Sequence, residues 1–403
     1  MKKALLFAAV ALMSTSALAS KARRTALGNS PQVTDIQDIA GDVQVGGNMF
    51  ISRPDKAAAY GEWATMEFGQ TSSAATAARS EGGFVRAMGN GALGVYLGAP
   101  NATADGFRSA LDRTASLVAP GQTLKQENPF RIFYGTKAGD ITWGAGLLYS
   151  NSKESITGAT TSARKQDASG LVASASGDVW DAQLGLGLSN NSTTTIAAGD
   201  NKLTGKATYQ LTGGYKIDTM YVYGGYSAAG AKADSATVSS FVDRADSELR
   251  IGVVNSHKKD GTDFFYGIEF DSATATENSS NVGAVATANS LNQNNATKLE
   301  QVKMPLFVGI EAEAASWLVL RASVNHSFGL LGLNRTKITT NNNTDTDRTN
   351  ADATTVATGA GIKWNKFMFD GVVAAAINGN GSFGFDTGTG NNFLTNASLT
   401  YTF

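Results

Sequence analysis

Apolar and polar residues alternate with a period of two in segments of about ten residues, from Glu62 to the C-terminus. One such segment has an apolar face of Val302, Met304, Leu306, Val308 and Ile310 and a polar face of Gln301, Lys303, Phe307, Glu311 and Glu313. This pattern predicts two-faced β-strands. Alternation alone fits a soluble sandwich and a barrel in lipid equally well, so other features must distinguish the two.

The separators between these segments alternate in length. Short separators, several of them Gly/Asp/Asn pairs suited to tight hairpins, lie at 90–91, 139–140, 177–178, 218–219, 259–261, 315–316 and 365–366. Longer polar stretches lie near 70–80, 100–128, 152–166, 192–203, 230–242, 276–296, 331–352 and 380–391. Short periplasmic turns and long extracellular loops are typical of outer-membrane barrels. The pattern predicts an all-β, transmembrane antiparallel β-barrel of about 16 strands, within a range of 14–18.

The N-terminus has the pattern of an export signal. Lys2 and Lys3 precede the apolar run 4–13, and Ala17-Leu18-Ala19 forms an A-x-A cleavage site. The run is too short for a membrane anchor, which needs about 20 apolar residues. We therefore predict a cleaved signal peptide at 1–19, a periplasmic N-terminal segment at 20–61 and a barrel at 62–403. The sequence leaves open whether 20–61 is a plug, a subunit contact or a free arm.

Composition supports an exported barrel in the outer membrane of a Gram-negative bacterium. The chain has 45 Gly, 6 Pro and no Cys, so an exported fold would be held together without disulfides. A closed barrel is stable without disulfides, because every backbone group pairs and no sheet edge remains. Removing two Lys with the signal leaves 31 basic against 34 acidic residues, a charge of −3 that implies no nucleic-acid partner.

The last segment ends on an aromatic residue. Ala397, Leu399, Tyr401 and Phe403 share one face of the strand 392–403. This tail resembles the C-terminal strand of outer-membrane barrels, which implies that Tyr401 and Phe403 form a signal for the outer-membrane assembly machinery. The alternative is an ordinary edge strand that ends in Phe.

Over 62–403 the chain resembles general bacterial porins in architecture. The segments 23–30 (RRTALGNS) and 61–69 (GEWATMEFG) resemble more specifically an abundant outer-membrane protein of predatory bacteria. That resemblance implies a homo-oligomeric ring in outer-membrane lipid, with lipid enclosed at its centre.

Charged residues on the polar faces are the candidates for a channel lining, because an Arg facing lipid at the membrane midplane costs about 2–4 kcal/mol. Strand parity, the alternation of successive side chains between the two faces of a strand, assigns the following residues to the lumen: Glu67, Arg86, Arg131, Lys137, Lys216, Arg250, Glu269, Lys303, Glu311, Glu313, Arg321, Lys363 and Asp370. Such charges set ion selectivity in channels. The alternative is that they pair with one another and fill a closed lumen.

The stretch 100–128 is a candidate constriction loop. Phe107, Leu111, Ala115 and Val118 form a helical apolar stripe, with Arg108, Asp112 and Arg113 off it. In porins, a long loop early in the barrel folds inward and narrows the pore. A helix on the loop surface is the alternative interpretation.

Few residues of the sequence fit an enzyme or metal-binding motif. Only His257 and His326 occur, and the neighbours Asn325 and Ser327 point to the opposite strand face, so they cannot orient His326 as a Ser-His-Asn site requires. The sequence therefore predicts no enzyme, cofactor or metal site. It favours a porin-like channel for small hydrophilic solutes and ions, with a structural membrane protein as the alternative and a hydrophobic-substrate transporter third.

Overall fold

A computed structural model of the chain describes residues 20–28, 53–57, 62–69, 80–98, 129–155, 161–196, 199–234, 241–279, 297–328, 335–340, 345–349, 353–378, 383–384 and 396–403. These residues form one antiparallel sheet that closes on itself. Closure occurs at the first strand, β1 (Trp63–Gly69), which pairs both with β2 (Ser80–Met88) and with the last strand at Asn396–Thr402. The predicted all-β closed barrel is confirmed.

The barrel has 16 strands, in agreement with the prediction. The continuous ones after β2 are β3 (Gly91–Leu97), β4 (Phe130–Ala138), β5 (Ile141–Ser155), β6 (Thr161–Ser176), β7 (Trp180–Ile196), β9 (Met220–Asp234), β10 (Phe241–Lys259), β11 (Thr262–Ser279) and β15 (Phe367–Asn378). The interrupted ones are β8 (Gly199–Gly205 and Thr208–Ile217), β12 (Thr297–Lys303 and Pro305–Ala315), β13 (Leu318–Ser327 and Arg335–Thr340), β14 (Asp345–Thr349 and Ala353–Trp364) and β16 (Phe383–Gly384 and Asn396–Thr402).

Tight turns join the strands at one end of the barrel, which we call the short-turn end. All seven predicted short separators lie at these turns, within two residues of the predicted position. Three of the turns place Asp218, Asp260 and Asn365 at φ values of 51°, 48° and 53°, a left-handed conformation that Asp and Asn tolerate better than most residues.

At the opposite end the strands continue further than the sequence predicts. The stretches 152–166 and 192–203, expected as loops, are largely strand, since β5 and β6 pair as far as Ser155↔Ala163 and β7 and β8 as far as Ile196↔Gly199. The 17 residues of β7 exceed the about 9–11 that one crossing needs. These extensions are rich in Ser, Thr and Asn, whose polarity resembles that of a loop although their backbones pair. Most of the other predicted long loops lie outside the described residues.

The outer face of the barrel is apolar. Exposed Met66, Phe84, Leu147, Leu211 and Ile251 all point outward, as strand parity predicts. Aromatic residues gather near the short-turn end of this face, namely Trp143, Trp180, Tyr215, Trp317, Trp364, Phe367 and Phe403. An apolar belt edged by an aromatic girdle on a closed sheet is the structure of an outer-membrane β-barrel of a Gram-negative bacterium.

In the part of the chain that the structure describes, two short helical elements precede the barrel. They are α1 (Lys21–Ala26) and the 3-10 turn η1 (Pro54–Lys56). Among the described residues, no helix is long and apolar enough to cross a membrane.

Candidate channel lumen

Strand parity places all but one of the predicted lining residues on the inner face. Those on the inner face are Glu67, Arg131, Lys137, Lys216, Arg250, Glu269, Lys303, Glu311, Glu313, Arg321, Lys363 and Asp370. Arg131, Glu67 and Asp370 are almost completely buried there. Whether these residues line an open pathway remains a prediction.

The prediction for Arg86 is wrong, because its side chain lies on the outer face. Val85 is the buried inward residue of this part of β2, and the Arg86 side chain is 53% exposed. Its Nε lies 2.9 Å from the Glu62 carboxylate, and its guanidinium lies over the Phe403 ring. Arg86 sits two residues from the short-turn end of β2, where an outward cation reaches the polar membrane interface and avoids the cost of the midplane.

The helix α1 lies inside the barrel, against β13, β14, β15 and β16. Ser20 caps it, since the Ser20 Oγ accepts a 2.9 Å hydrogen bond from the backbone N–H of Arg23. Ala22 and Ala26 pack on Val372 of β15, and this small-residue face allows the helix to approach the wall closely. The described parts of the N-terminal segment therefore lie within the lumen.

A four-residue charge network fastens α1 to the wall. Arg23 makes a bidentate pair with Glu311 at 2.6 and 2.7 Å, and Arg321 Nε also donates to Glu311 at 2.6 Å. The Nη1 of Arg321 lies 2.6 Å from Asp370, whose other oxygen accepts a 2.7 Å hydrogen bond from Ser20 Oγ. Two Arg and two carboxylates balance in charge, so removing one member leaves a buried charge without compensation.

The turn η1 lies against β4, β5 and β6, away from α1 along the sheet. Arg53 makes a bidentate pair with Asp55 at 3.0 and 2.9 Å and reaches Asp181 at 3.2 Å. The Asp55 carboxylate also accepts hydrogen bonds from Ser174 and Ser176 of β6. Arg53 and Asp55 are 1% and 0% exposed, so this contact is as buried as a protein core.

Two inward glycines make room for η1. A Cβ added at Gly135 would lie 1.9 Å from the carbonyl oxygen of Pro54, and one at Gly144 would lie 2.4 Å from the Pro54 carbonyl carbon. No larger residue fits these two positions while Pro54 keeps its place.

The surroundings of Asp55 in the lumen change its acidity. Burial raises the pKa of this carboxyl, but the ion pair with Arg53 and the hydrogen bonds from Arg53 and the two serines together lower it by more. The pKa of Asp55 therefore lies below its ordinary value of 3.8. Asp55 is therefore charged at neutral pH and remains so in mild acid.

Apolar side chains also face the lumen near the short-turn end. Leu27 packs on Val254, Phe265 and Phe307, and Ala57 belongs to a cluster with Trp63, Val85, Ala92, Tyr96 and Phe133. Parity alone marks Phe307 as inward but gives no reason for an apolar residue there. The reason is the N-terminal segment, which provides a surface for these rings to cover.

A second charged group lies on β10 and β11. Arg250 Nη2 donates to Glu248 at 2.8 Å, and its Nε lies 3.5 Å from Glu269, which accepts a 2.7 Å hydrogen bond from Tyr223. Asp271 lies directly across from Arg250 in the sheet register. Glu248 and Asp271 also belong to this group by geometry, but the predicted set does not contain them. Alternation marks both as inward, because Glu248 shares a strand face with Arg250 and Asp271 shares one with Glu269.

The structure describes some of the remaining candidate residues, and others lie outside the described part of the chain. The constriction-loop residues Phe107, Arg108, Leu111, Asp112 and Arg113 lie outside the described part of the chain. His326 pairs through Nδ1 with Thr354 Oγ1 at 2.7 Å and contacts the Phe328 ring. Where the structure describes the chain, no three acidic or histidine side chains converge as a metal site. Tyr401 and Phe403 lie in contact on the outer face.

No protein-family model matches the chain, and no curated protein matches it. Solved structures similar to it include the FrpB iron transporter from Neisseria meningitidis, at 9% identity over 80% of this chain and a TM-score of 0.36. CdiB from Acinetobacter baumannii is similar at 9% identity over 84% of this chain (TM-score 0.41), and the toluene transporter TodX from Pseudomonas putida at 10% over 90% (TM-score 0.33). The chain spans 64% of the FrpB transporter, 59% of CdiB and 96% of TodX.

Proposed function

We propose that this protein is a porin-like outer-membrane channel for passive diffusion of small hydrophilic solutes and ions, narrowed from within by its N-terminal segment. The observation that carries the proposal is the size of the barrel together with its charged inner face. Side chains alone fill a barrel of about 8 strands, whereas about 16 strands leave an aqueous space. No chemical step is part of this function.

The docked segment makes the channel narrower than the bare barrel would be. The α1 contact lies on β13–β16 and the η1 contact on β4–β6, so the segment takes up cross-section near the short-turn end. Because the wall charges near it are used in ion pairs, they contribute less to the field in the remaining space. We therefore expect a small conductance with mild ion selectivity.

The alternative is a structural protein without solute transport, assembled as a homo-oligomeric ring in lipid. The paired charges and the apolar lumen clusters favour it, since both fill space without leaving free charge. A closed lumen and an open one differ in a single measurable property, the passage of ions.

Single-channel recording in a planar bilayer tests the proposal. The wild-type protein should give discrete ohmic steps, and the double variant Arg23→Ala/Arg53→Ala, which loosens both docking contacts, should give larger steps. Arg164→Ala is the matched control, because its pair with Glu154 at 3.3 Å is partly exposed and lies outside both contacts. If neither wild type nor the double variant conducts, the channel function is wrong and the structural alternative replaces it.

A further inference from the structure

A row of lysines crosses the outer face of the barrel on β5 to β8. Lys153 of β5 stands directly across from Lys165 of β6. On the other side of Lys165, Thr193 of β7 connects the row to Lys202 of β8. The three lysines are exposed, and Lys153 lies on the same strand face as outward Tyr149. This lysine row (Lys153, Lys165 and Lys202) therefore points away from the lumen.

The lysine row lies at the membrane surface opposite the short-turn end. Lys153 is 12 residues along β5 from Ile141 at the short turn (153 − 141). At about 3.3 Å per residue and a tilt of about 40°, this is about 30 Å along the membrane normal, just beyond an apolar band about 25 Å tall. Outward Tyr149 and the Tyr209–Tyr226 pair, with ring centroids 6.0 Å apart, lie nearer the membrane. Aromatic residues of this kind mark the level of the lipid headgroups.

The ammonium groups of the lysine row have no acidic partner. Among the described residues, no ion pair joins a carboxylate to the side chain of Lys153, Lys165 or Lys202. Residues directly opposite on two strands have Cβ atoms about 4.5–5.5 Å apart, and like charges at such positions destabilise the strand pair. An anion between Lys153 and Lys165 removes this repulsion.

Other lysines of the outer face are paired. Lys206 bonds Asp243, and Lys232 Nζ lies 2.9 Å from Asp234. These two ion pairs are neutral and belong to β8, β9 and β10, beside the lysine row. The lack of a partner is therefore particular to the row and is not general to the lysines of this surface.

The charge near the row matches one negative charge. Two aspartates lie on the same outer face, and each accepts a hydrogen bond from an uncharged donor. Asp167 accepts from Asn191 at 3.1 Å, and Asp200 accepts from Thr195 at 2.9 Å. Three lysines and two aspartates leave a net charge of +1 (3 − 2).

We propose that the lysine row binds the phosphate of a lipid headgroup in the outer leaflet. A phosphodiester carries the single negative charge that the row lacks, and lysine binds phosphate as a point charge without a fixed geometry. A lipid supplies the phosphate because the row lies at headgroup level. Exposed Leu147 and Leu171, paired across the same two strands nearer the membrane centre, provide apolar surface for its acyl chains. The site is outside the lumen, so it does not depend on the proposed channel.

Native mass spectrometry of the folded barrel in a neutral detergent tests the site. One probe is dioctanoyl phosphatidylglycerol, whose headgroup is a phosphodiester without a cation. The other is dioctanoyl phosphatidylcholine, whose quaternary ammonium group is repelled by the lysines. The wild-type protein should bind phosphatidylglycerol about tenfold more tightly than phosphatidylcholine. Equal binding of the two lipids would overturn the site.

The double variant Lys153→Gln/Lys165→Gln should lose this preference. Lys206→Gln/Lys298→Gln is the matched control, because it also removes two lysines from the outer face, but both already lie in ion pairs. The control should keep the preference for phosphatidylglycerol. An equal loss in the two double variants would show that binding follows total charge, and the site would be wrong.

A charge reversal separates binding from folding. Lys165→Glu places a carboxylate across from Lys153, so the heat-modifiable band should be at least as stable as that of the wild type. The variant should nevertheless lose the preference for phosphatidylglycerol, and a retained preference would contradict the proposal. Inorganic phosphate, added at the concentration of the lipid and at constant ionic strength, should not displace phosphatidylglycerol from the wild type. Displacement would assign the row to free phosphate and overturn the lipid site.

Discussion

The guanidinium of Arg86 on β2 lies 4.6 Å from the ring centroid of Phe403, the last residue of the chain, on the outer face of the barrel. Phe403 also donates its backbone N–H to the Glu62 carbonyl at 3.1 Å, and the Glu62 carboxylate pairs with Arg86. These contacts join the two ends of the sheet across β1. The barrel closes here.

Deleting Phe403 should lower the fraction of folded, heat-modifiable protein, because the last strand then loses its terminal backbone bond and its aromatic contact at the closure. Arg86→Ala removes an exposed cation–π contact, worth about 0.5–1 kcal/mol, and an exposed ion pair with Glu62, worth about 0–1 kcal/mol, so it should lower the folded fraction only slightly. Gel mobility with and without heating measures both. An equal loss in the two variants would mean that closure depends on the Arg86–Phe403 contact, which both variants remove, and not on the terminal backbone bond of Phe403.

Arg321→Ala should be among the most destabilising single changes in the wall. It leaves Asp370, which is fully buried, without its guanidinium partner, and breaking such a pair costs about 3–5 kcal/mol. The partly exposed Arg164–Glu154 pair should cost only about 0–1 kcal/mol when Arg164 is replaced by Ala. Urea unfolding in lipid or detergent compares the two, and similar losses would show that the Arg321 network is not held as tightly as its geometry indicates.

Gly144→Ala should displace η1 without breaking β5, since the added methyl group overlaps the Pro54 backbone. Trypsin should then cut at Arg53 in the folded barrel, where the wild-type residue is buried. Gly224→Ala is the control, because its new Cβ would meet only the Arg250 carbonyl oxygen at 3.5 Å. Equal protection of Arg53 in both variants would contradict the close approach of Pro54.

The wall of this barrel could be predicted from sequence, because side-chain direction on a strand depends only on parity and each turn carries its own Gly, Asn or Asp signal. Alternation predicts an inward direction for Glu311 and Arg321, and the two side chains pair on the inner face. At Arg86 the alternation is regular, with Val85 inward, and the error lies in taking a charged residue as a mark of the inner face, since an exposed cation costs little at the membrane interface.

The interior could not be predicted, because its contacts join residues far apart in the chain. Ser20 and Asp370 are 350 positions apart, and no local pattern links them. Asp55 and Arg53 likewise bond Ser174 of β6 and Asp181 of β7, more than a hundred residues away. The polar strand extensions could not be predicted for another reason. Ser, Thr and Asn are common both in loops and in strands that extend beyond the membrane.

Loop topology makes a separate prediction. The stretches 276–296 and 331–352 follow the end of the barrel opposite the short turns, so they should face outside the cell while Asp218-Thr219 faces the periplasm. Protease added to intact cells should cut within the two long stretches and spare 218–219. Cutting at 218–219 in sealed cells would reverse the orientation of the barrel.

The docking of η1 should resist mild acid and fail only in strong acid. The pKa of Asp55 is lowered from its ordinary value of 3.8 because the bonds from Arg53, Ser174 and Ser176 outweigh the effect of burial. A lowered folded-state pKa gives stability that is present above the unfolded value and is lost as pH falls through the folded one.

The chain has no cysteine, so Lys56→Cys provides a single site for a spin label beside the contact. The label should stay immobile from about pH 7 to about pH 5 and become mobile only at a pH below the ordinary pKa of Asp55. In Lys56→Cys/Asp55→Asn it should be more mobile throughout and should lose that acid transition. Release of the wild-type contact between about pH 5 and about pH 7 would show that a group other than Asp55 controls the docking.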